Sequence, residues 1–425
     1  MRLGFVSLPL AGRLNPMTAL ARKLRSRGHE VRFIGVPDIE PAVRAANLAF
    51  ESYCEEEYPA GSVARIYAPI AKLHGLDVMR YQVEEISPKF LQAELKHLPQ
   101  KLVETGVEAM VLDAVTFLQL VPMSLGIQFV QVWNTLHVDF SGATPPTVFG
   151  WPHETTAEAR ARNIEGVKII GNLWKPIWAV AQAYAKQNGL QIDWSDPSAT
   201  TSKLAVITQT PREFDFEGTP WPAHFLYTGP FHDGNGREQV AFPWEKLTGE
   251  PLIYASLGSL VNGRPEVFRS ILGAVEKLKG IQAVLSVGKH VDLGHLGPIP
   301  ANTLVVNTAP QIALLKHAVL CITHAGLNTT LESLAQGVPM VAIPIGYDQP
   351  GVAARIAHHG VGEFMEVEHL TAEALSERIQ VVLSDPRYRI RAQHFASVIA
   401  ETRGLDLAAD VIEQAFLTRT VVARV

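Results

Sequence analysis

The sequence has little of what marks secreted, membrane-spanning or nucleic-acid-binding proteins. It holds two cysteines in 425 residues, Cys54 and Cys321, which excludes a disulfide framework or a cysteine-based metal cluster and suits a reducing cytoplasm. It has no run of about 18 apolar residues, so no membrane span is predicted, while peripheral membrane contact stays open. No Lys/Arg cluster offsets the formal net charge of -5, which argues against a nucleic acid partner.

Two further absences narrow the class of protein. No G-x-G-x-x-G follows a predicted strand, which argues against a dinucleotide-dependent dehydrogenase. The first apolar run, residues 3–10, is too short for a signal peptide and enters a folded-domain pattern at once, so we expect a cytoplasmic protein. With 47% hydrophobic and 19% charged residues, the chain has the composition of a globular enzyme on the apolar side.

What the sequence does show is an alternation of strand and helix patterns, which predicts parallel sheets of an α/β fold. Predicted strands lie at residues 3–8, 30–36, 109–113 and 127–132, with helices at 15–27 and 116–125 between them. Residues 133–200 are irregular and rich in aromatic side chains, which fill core or line an apolar acceptor cleft. After a polar, Gly-rich linker at 229–239 the alternation resumes, with strands at 252–257, 283–287, 318–323 and 338–345. The pattern predicts two doubly wound, Rossmann-like domains facing across a cleft.

The most informative segment is residues 308–349. Its core has the pattern of a strand ending in His324, a small-residue turn through Gly326, and a helix that begins near Asn328. A helix N-terminus has free N–H groups and a positive dipole end, both of which favour an anion. His324 can add a charge-assisted hydrogen bond to a phosphate, although alone it would be a capping or core histidine.

Polar residues follow at spacings that suit a sugar and a ribose. Glu332 lies one turn into the predicted helix, where it can accept hydrogen bonds from a ribose diol. Asp348 and Gln349 follow the next strand, with acceptors and donors for sugar hydroxyls. Ser259 follows an earlier strand and either reaches a phosphate or is a plain turn residue. Together these residues predict a nucleotide-sugar site.

The segment resembles the donor-binding signature of the family 1, UDP-dependent glycosyltransferases. The matching residues are Pro310, Gln311, His317, Thr323, His324, Gly326, Asn328, Thr329, Glu332, Gly337, Val338, Pro339, Asp348 and Gln349. The run DQPGVAARI, residues 348–356, is similar to the same part of bacterial zeaxanthin glucosyltransferases, and macrolide glycosyltransferases are a related likeness. The resemblance covers most of the chain and is sharpest in its second half.

The resemblance implies a GT-B fold and inverting transfer of a sugar, with glucose from UDP-glucose favoured, onto a lipophilic or aromatic small molecule. It implies an acceptor-binding domain at 1–230, a donor-binding domain at 240–404, and a last helix within 405–425 that packs back on the first domain. No metal and no cofactor besides the nucleotide sugar are expected. The implied donor-binding residues are Ser259, Thr308, Ala309, Gln311, His324, Gly326, Asn328, Thr329, Glu332, Asp348 and Gln349.

The sequence departs from the family at two positions. Where many relatives have a Trp that stacks on uracil, this chain has Thr308, which leaves the backbone of Ala309 to read the base. In the loop after the first strand, Arg13 takes the place of the His that serves as general base, while Asp113 matches the Asp that orients that His. Arginine stays protonated and cannot accept the acceptor's proton. We also expect an Arg13–Asp113 ion pair to lower the pKa of Asp113 and weaken it as a base.

Several interpretations of Arg13 stay open. The acceptor is acidic and Arg13 holds its ionised nucleophile; or another group is the base, with His137 and Asp139 as candidates; or the protein binds a nucleotide sugar with weak or no transfer. The simplest alternative is a structural salt bridge with no part in the chemistry.

Overall fold

The computed structural model describes residues 1–114, 116–233, 240–289 and 291–423. Two parallel sheets, each flanked by helices, organise these residues. The first sheet consists of β1 (Arg2–Val6), β2 (Glu30–Gly35), β3 (Ala49–Ser52), β4 (Ala109–Asp113), β5 (Gln128–Trp133), β6 (Val206–Thr208) and β7 (Phe225–Tyr227). The helices of this half are α1 (Ala11–Ser26), α2 (Glu40–Ala45), α3 (Ser62–Tyr67), α4 (Leu76–Tyr81), α5 (Ser87–Thr105), α6 (Leu120–Leu125) and α7 (Ala157–Gln187).

The second sheet repeats this arrangement. It consists of β8 (Leu252–Ser256), β9 (Gln282–Ser286), β10 (Thr303–Val306), β11 (Ala318–Thr323), β12 (Met340–Ala342) and β13 (Gly362–Phe364). Its helices are α8 (Pro265–Glu276), α9 (Gln311–Leu315), α10 (Leu327–Ala335), α11 (Gln349–His358), α12 (Ala372–Ser384) and α13 (Pro386–Glu401), and the chain continues into α14 (Leu405–Thr418). The two doubly wound sheets predicted from the sequence are confirmed.

The strand order places the carboxyl ends of four central strands at the two switch points of the fold. The orders are β3-β2-β1-β4-β5-β6-β7 and β10-β9-β8-β11-β12-β13, so β1 and β4 are neighbours in one sheet and β8 and β11 in the other. In open parallel sheets, ligands bind beyond the carboxyl ends of the strands where the order reverses. Arg13 and Asp113 follow or end β1 and β4, and His324 follows β11, so the fold puts the candidate residues at the two places where ligands are expected.

The last helix contacts the first half of the chain. On α14, Asp406 forms an ion pair with Lys23 of α1 and Asp410 forms one with Arg27, which directly follows α1, both at 2.6 Å. The predicted linker falls largely on residues 234–239, which lie outside the described residues, so the domain limits at 230 and 240 stay predictions.

The strands predicted at 252–257, 283–287 and 318–323 are confirmed to within one residue, the strand predicted at 338–345 is the shorter β12, and three predictions in the first half need correction. Helix α1 begins at Ala11, four residues earlier than predicted, so Arg13 lies in a first helical turn and not in a loop. Helix α6 begins at Leu120, so residues 116–119 precede it in a turn. The segment at 133–200, predicted to be irregular, contains the 31-residue helix α7, capped by Thr156.

Candidate functional site

Arg13, the residue that stands where the family has its catalytic His, pairs with a buried aspartate at the switch point of the first sheet. Arg13 Nη1 donates to Asp113 Oδ1 at 2.8 Å, and Ser7 Oγ donates to Asp113 Oδ2 at 3.3 Å. Ser7 follows β1 and Asp113 ends β4, so adjacent parallel strands bring the two together. The guanidinium is 13% exposed and the carboxylate is fully covered, which leaves the arginine as the charged group that faces the cleft.

The pKa of Asp113 differs from the expectation drawn from the sequence. We expected Arg13 to lower it, but burial raises the pKa of Asp113 by more than Arg13, the Leu8 backbone and Ser7 lower it. Desolvation dominates because the carboxyl group has lost its water, and one partly exposed guanidinium does not make good that loss. The ion pair itself is as predicted.

His324 is enclosed between two glycines at the switch point of the second sheet. A Cβ built on Gly326 would lie 2.5 Å from His324 Nε2, and one built on Gly258 would lie 2.6 Å from it. The turn that aims the ring is strained, because Ala325 has a φ of 62°, and Thr323 Oγ1 accepts its N–H at 3.1 Å. Any residue larger than glycine at either position would displace the imidazole.

Burial lowers the pKa of His324 to about 4, with the Ser256 backbone opposing the shift. The ring is therefore neutral at pH 7 without a ligand, and the charge in the predicted contact would come from the phosphate that accepts its hydrogen bond. A neutral imidazole still donates one hydrogen bond, and a bound anion would favour its protonation.

The N-terminus of α10 is tied to the first half of the chain through Asn328. Asn328 Nδ2 donates to the carbonyl of Gly12 at 2.8 Å, and Gln209 Nε2 donates to Asn328 Oδ1 at 2.9 Å. Pro16 explains why the Gly12 carbonyl is available: it stands four residues later in α1 and has no N–H to donate. Asn328, predicted to contact the donor, thus also connects the second half of the chain to the first.

Four residues join in the predicted base and ribose region. Gln311 Nε2 donates to Glu332 Oε2 at 2.7 Å and to Thr329 Oγ1 at 3.3 Å, while Tyr254 OH donates to Gln311 Oε1 at 3.1 Å. Glu332 is 3% exposed, so a buried carboxylate is held at a fixed place on α10. Tyr254 was missed from the sequence, because a tyrosine inside an apolar strand has the pattern of a core residue.

The remaining base and phosphate candidates lie around these residues. Thr308 and Ala309 are half-buried in the turn between β10 and α9, where the Ala309 carbonyl accepts the N–H of Gln311 at 2.9 Å. Ser259 is exposed in the bend after β8, one residue beyond Gly258.

The two predicted sugar-reading residues begin α11. Asp348 Oδ2 accepts the N–H of Leu136 at 2.9 Å, and burial raises the pKa of Asp348 against the lowering effects of this bond and of Arg13. Gln349 Oε1 accepts the N–H groups of Ile345 at 2.8 Å and Gly346 at 3.1 Å. The side-chain oxygen of Gln349 therefore stabilises the turn at residues 345–349, and its side-chain N–H groups are the part suited to a ligand.

The electrostatic reach of Arg13 links the two halves of the site. Arg13 lowers the pKa not only of Asp113 but also of Asp348, which lies in the other half. It acts likewise on Tyr67 and Tyr347, whose pKa values burial raises. The charge of Arg13 thus acts on the predicted sugar-reading carboxylate as well as on Asp113.

A chain of polar groups beside Arg13 was missed from the sequence. Tyr347 OH donates to Gln82 Oε1 at 3.2 Å, and Gln82 Nε2 donates to Tyr67 OH at 3.4 Å. Tyr347 has a φ of 57°, which is uncommon for a bulky residue and marks a constrained position. No spacing in the sequence connects these residues, which come from three separate segments.

Both alternative bases have structural partners. The side chain of His137 is 1% exposed, and its Nε2 lies 2.7 Å from Asp215 Oδ2. Asp139 accepts hydrogen bonds from the N–H and hydroxyl of Ser141 and of Thr144, at 2.6 to 3.1 Å. Neither presents a proton acceptor to the cleft, so we drop both as bases.

The aromatic residues of 133–200 pack chiefly on the long helix α7. Phe149 and Trp151 stack with ring centroids 4.1 Å apart, and a Cβ on Gly166 of α7 would meet Trp151 at 2.9 Å. Phe117 and Trp174 make an edge contact at 6.2 Å. Phe117 and Trp174 thus pack against the core as half-buried side chains, whereas Phe149 and Trp151 are half-buried outside it and Phe140 and Trp194 are exposed.

Within the described residues, one group of side chains has the types and spacing to hold a metal ion. It consists of Cys54, Glu57 and His97, and its Glu57 already accepts from His97 and Lys96 at 2.9 and 3.0 Å. Among the helices of the described residues, none combines the length and the apolar character needed to cross a membrane.

Comparison with known proteins agrees with this geometry. Residues 241–419 match the family described as UDP-glucoronosyl and UDP-glucosyl transferase. Zeaxanthin glucosyltransferase of Pantoea ananas is 28% identical over 416 residues, which cover 97% of this chain and 95% of that protein. The protein is a glycosyltransferase, and its second half matches this family.

Other glycosyltransferases extend the likeness along the whole chain. Demethyllactenocin mycarosyltransferase of Streptomyces fradiae is 28% identical over 418 residues, covering 97% of this chain and 86% of that one. The crystal structure of the kitacinnamycin glycotransferase has a TM-score of 0.75 and 23% identity over 97% and 98% of the two chains. The fold of this glycosyltransferase is therefore GT-B, and the comparisons do not favour a protein that only binds nucleotide sugars.

Proposed function

We propose that this glycosyltransferase moves glucose from UDP-glucose, with inversion, onto a lipophilic or aromatic small molecule that carries an acidic nucleophile. The observation that supports this proposal is the Arg13–Asp113 ion pair at 2.8 Å, set at the switch point of the first sheet with its charge reaching Asp348. A fixed positive charge beside the predicted sugar-reading carboxylate suits a carboxylate or phenolate acceptor.

In the proposed reaction each group of the second half meets one part of the donor. The N–H groups at the start of α10 and the ring of His324 hold the diphosphate, Glu332 accepts from the ribose, and Asp348 from the sugar. The acceptor oxygen attacks the anomeric carbon on the face opposite the nucleotide, the glycosidic bond to phosphate breaks, and UDP leaves with the bonding pair. The helix N-terminus and His324 stabilise the charge that develops on the leaving diphosphate.

Arg13 replaces proton removal with charge pairing in this scheme. A neutral alcohol must lose its proton as it attacks, and a positioned base typically contributes about 10²–10⁴-fold to such a step. A carboxylate or phenolate arrives ionised and needs no base, while Arg13 orients it by a charge-assisted hydrogen bond. Because no step uses a metal, we expect activity to survive EDTA.

The test is a screen of UDP-glucose, UDP-galactose and dTDP-glucose against phenols, carboxylic acids and terpenoid alcohols, read by product mass. The dTDP arm is included because Thr308 offers no ring to stack on uracil. We expect glucosides of acids and phenols from UDP-glucose. Binding of UDP-glucose without transfer to any acceptor would support the binding-protein alternative, and a glucoside with retained configuration would overturn the mechanism.

A further inference from the structure

A buried ion pair joins the second half to the first through the helix that carries the predicted sugar-reading residues. Arg355 Nη2 and Nε of α11 donate to Asp215 Oδ1 at 2.7 and 3.1 Å. Asp215 lies between β6 and β7, in the first half, and the two side chains are 2% and 3% exposed. Arg355 also donates to the Gly351 carbonyl at 3.1 Å, within its own helix.

The other oxygen of Asp215 is equally occupied. Asp215 Oδ2 lies 2.7 Å from His137 Nε2 and accepts a hydrogen bond from Tyr227 OH. Burial alone would raise the pKa of Asp215, but the charges of His137 and Arg355 hold it well below its ordinary value. The guanidinium of Arg355 stacks over Phe216 at 4.1 Å from the ring centroid. Asp215 is therefore an ionised carboxylate held from several sides.

The segment at residues 136–137 contacts both Asp215 and Asp348. Leu136, next to His137 in sequence, donates its N–H to Asp348 Oδ2 at 2.9 Å. Asp348 directly precedes α11, and Arg355 follows seven residues later, which is about two helical turns. These contacts form a closed network. It runs from Asp348 to the 136–137 segment, from there to Asp215 and Arg355, and along α11 back to Asp348.

The first turn of α11 is docked on the first half by backbone as well. Gly351 N–H donates to the Thr147 carbonyl at 2.8 Å, and a Cβ on Gly351 would lie 2.6 Å from that oxygen. The helix therefore lies directly against the backbone of the first half. The Arg355–Asp215 ion pair adds a directional contact about two turns away, and His359 Nε2, just after the helix, lies 3.1 Å from the Phe214 carbonyl oxygen.

Stability alone gives a weak reason for such a network. Replacing a buried ion pair by well-packed apolar residues is often neutral or stabilising, whereas hydrogen-bonded charges impose direction. We propose that Arg355, Asp215 and His137 are positioning residues that hold the Asp348 carboxylate where it reads the donor sugar. This inference rests on the proposed role of Asp348, and it adds a group of residues in the first half to donor recognition.

The test uses the double variant Asp215→Leu/Arg355→Met, which removes both members of the ion pair, so that neither is left buried without the other. We expect it to fold and to bind UDP as the wild type does. The residues predicted to hold the phosphates and the ribose are His324 and residues of α9 and α10, and neither substituted position is among them. Its KM for UDP-glucose should rise at least about tenfold, the size expected for a displaced charge-assisted hydrogen bond, with kcat less affected. Arg355→Lys, which keeps the charge but cannot place two N–H groups of a planar guanidinium on Asp215 Oδ1, should give a smaller rise.

Arg378→Met is the matched control. Arg378 pairs with Glu363 at 3.0 Å in the same half of the chain, but on the exposed surface. It should leave KM for UDP-glucose unchanged. A folded double variant with wild-type KM for the donor, or an equal loss of UDP and UDP-glucose binding, would overturn the inference.

A ligand-free readout separates this inference from the proposed function. Hydrogen exchange of the Leu136 N–H and of the 345–351 turn should quicken in the double variant and not in Arg378→Met. If the wild type bound no nucleotide sugar, the proposed function would fail, and the exchange result would still decide whether the network positions Asp348. Unchanged exchange would contradict the inference whatever the activity.

Discussion

The donor and acceptor halves of the site are built in different ways. On the donor side all the predicted groups except Ser259 come from one stretch of about forty residues, where a strand, a turn and a helix place His324, Asn328 and Glu332 at set distances along the chain. On the acceptor side Arg13, Tyr67 and Asp113 come from segments far apart in sequence. Site residues that lie close together in sequence form a recognisable motif. Site residues that the fold brings together from distant segments can be recognised only where they keep the residue types usual at those positions.

The halves also differ in what one substitution can change. The donor side is a network of small contacts around backbone N–H groups, so each side chain carries part of the binding. The acceptor side concentrates its chemistry at Arg13, whose type departs from that of the family. We therefore expect donor variants to lose activity by degrees and acceptor variants to change which molecule is used.

The largest effect should come from Arg13→His. This change restores a group that can accept a proton, with Asp113 in place to orient it. The ratio of kcat/KM for a matched alcohol and carboxylic acid should move toward the alcohol by about 10²–10⁴-fold, the usual contribution of a general base. Steady-state kinetics with the two acceptors measures it. Arg22→His, on the same helix but outside the site, should leave the ratio unchanged.

The acceptor half should also respond to pH through Glu94. This carboxyl group on α5 accepts a hydrogen bond from the Tyr53 hydroxyl, and burial raises its pKa from 4.5 to about 7. The folded state therefore holds the proton more tightly than the unfolded state. The stabilisation is full below about pH 4.5 and is lost as pH rises through 7, a fall of at most about 3 kcal/mol.

Denaturant unfolding between pH 5 and pH 8 checks this prediction. Glu94→Gln should flatten the fall, because the amide cannot ionise. Glu104→Gln, at an exposed site on the same helix, should keep the wild-type slope. Identical pH profiles for the wild type and Glu94→Gln would show that Glu94 is not the responsible group.

On the donor side, His324→Ala should weaken UDP binding and lower turnover by roughly ten- to a hundredfold, the range for a lost hydrogen bond to a charged group. Gly326→Ala should act through the same ring, since its Cβ would lie 2.5 Å from His324 Nε2. Gly171→Ala, whose Cβ would meet its nearest neighbour at an ordinary 3.5 Å, is the steric control. Unchanged UDP affinity and turnover in folded His324→Ala would remove this residue from the site.

The smallest and most selective effects should separate Glu332 from Asp348. Glu332→Ala should reduce affinity for UDP itself by about tenfold, because ribose is part of UDP. Asp348→Ala should spare UDP and raise KM for UDP-glucose. Calorimetry with UDP and kinetics with UDP-glucose measure the two. Equal damage to UDP binding in both variants would mean that the division between ribose and sugar is wrong.

The same contrast explains what the sequence could predict. Strand β4 and strand β11 were predicted to the residue, because short apolar runs bounded by polar or small residues leave little choice. Helix α7 was missed because glycines at 166 and 171 and a proline at 176 interrupt its pattern, although tertiary packing of Gly166 on Trp151 and of Trp174 on Phe117 supports it. The early start of α1 was missed because Pro16 suggests a first turn, whereas in the structure it stands inside the helix.

Within the site, residue types were easier to predict than protonation states and partners. The position of Asp113 followed from its strand, but the direction of its pKa depends on burial that no spacing shows. His324 was placed at the right turn, yet its neutral state follows from the packing around it. The contacts of Asp348 with Leu136 and of Arg355 with Asp215 join residues more than a hundred positions apart, and the sequence carried no signal for them.

The measurement that tests the central claim most directly is the pH dependence of kcat/KM for the wild type with a series of phenols of graded acidity. If Arg13 pairs with an acceptor that arrives ionised, the midpoint of the rising limb should move with the pKa of each phenol. If a group of the protein removes the proton, the midpoint should stay at one pH for every acceptor, and charge pairing by Arg13 would be contradicted.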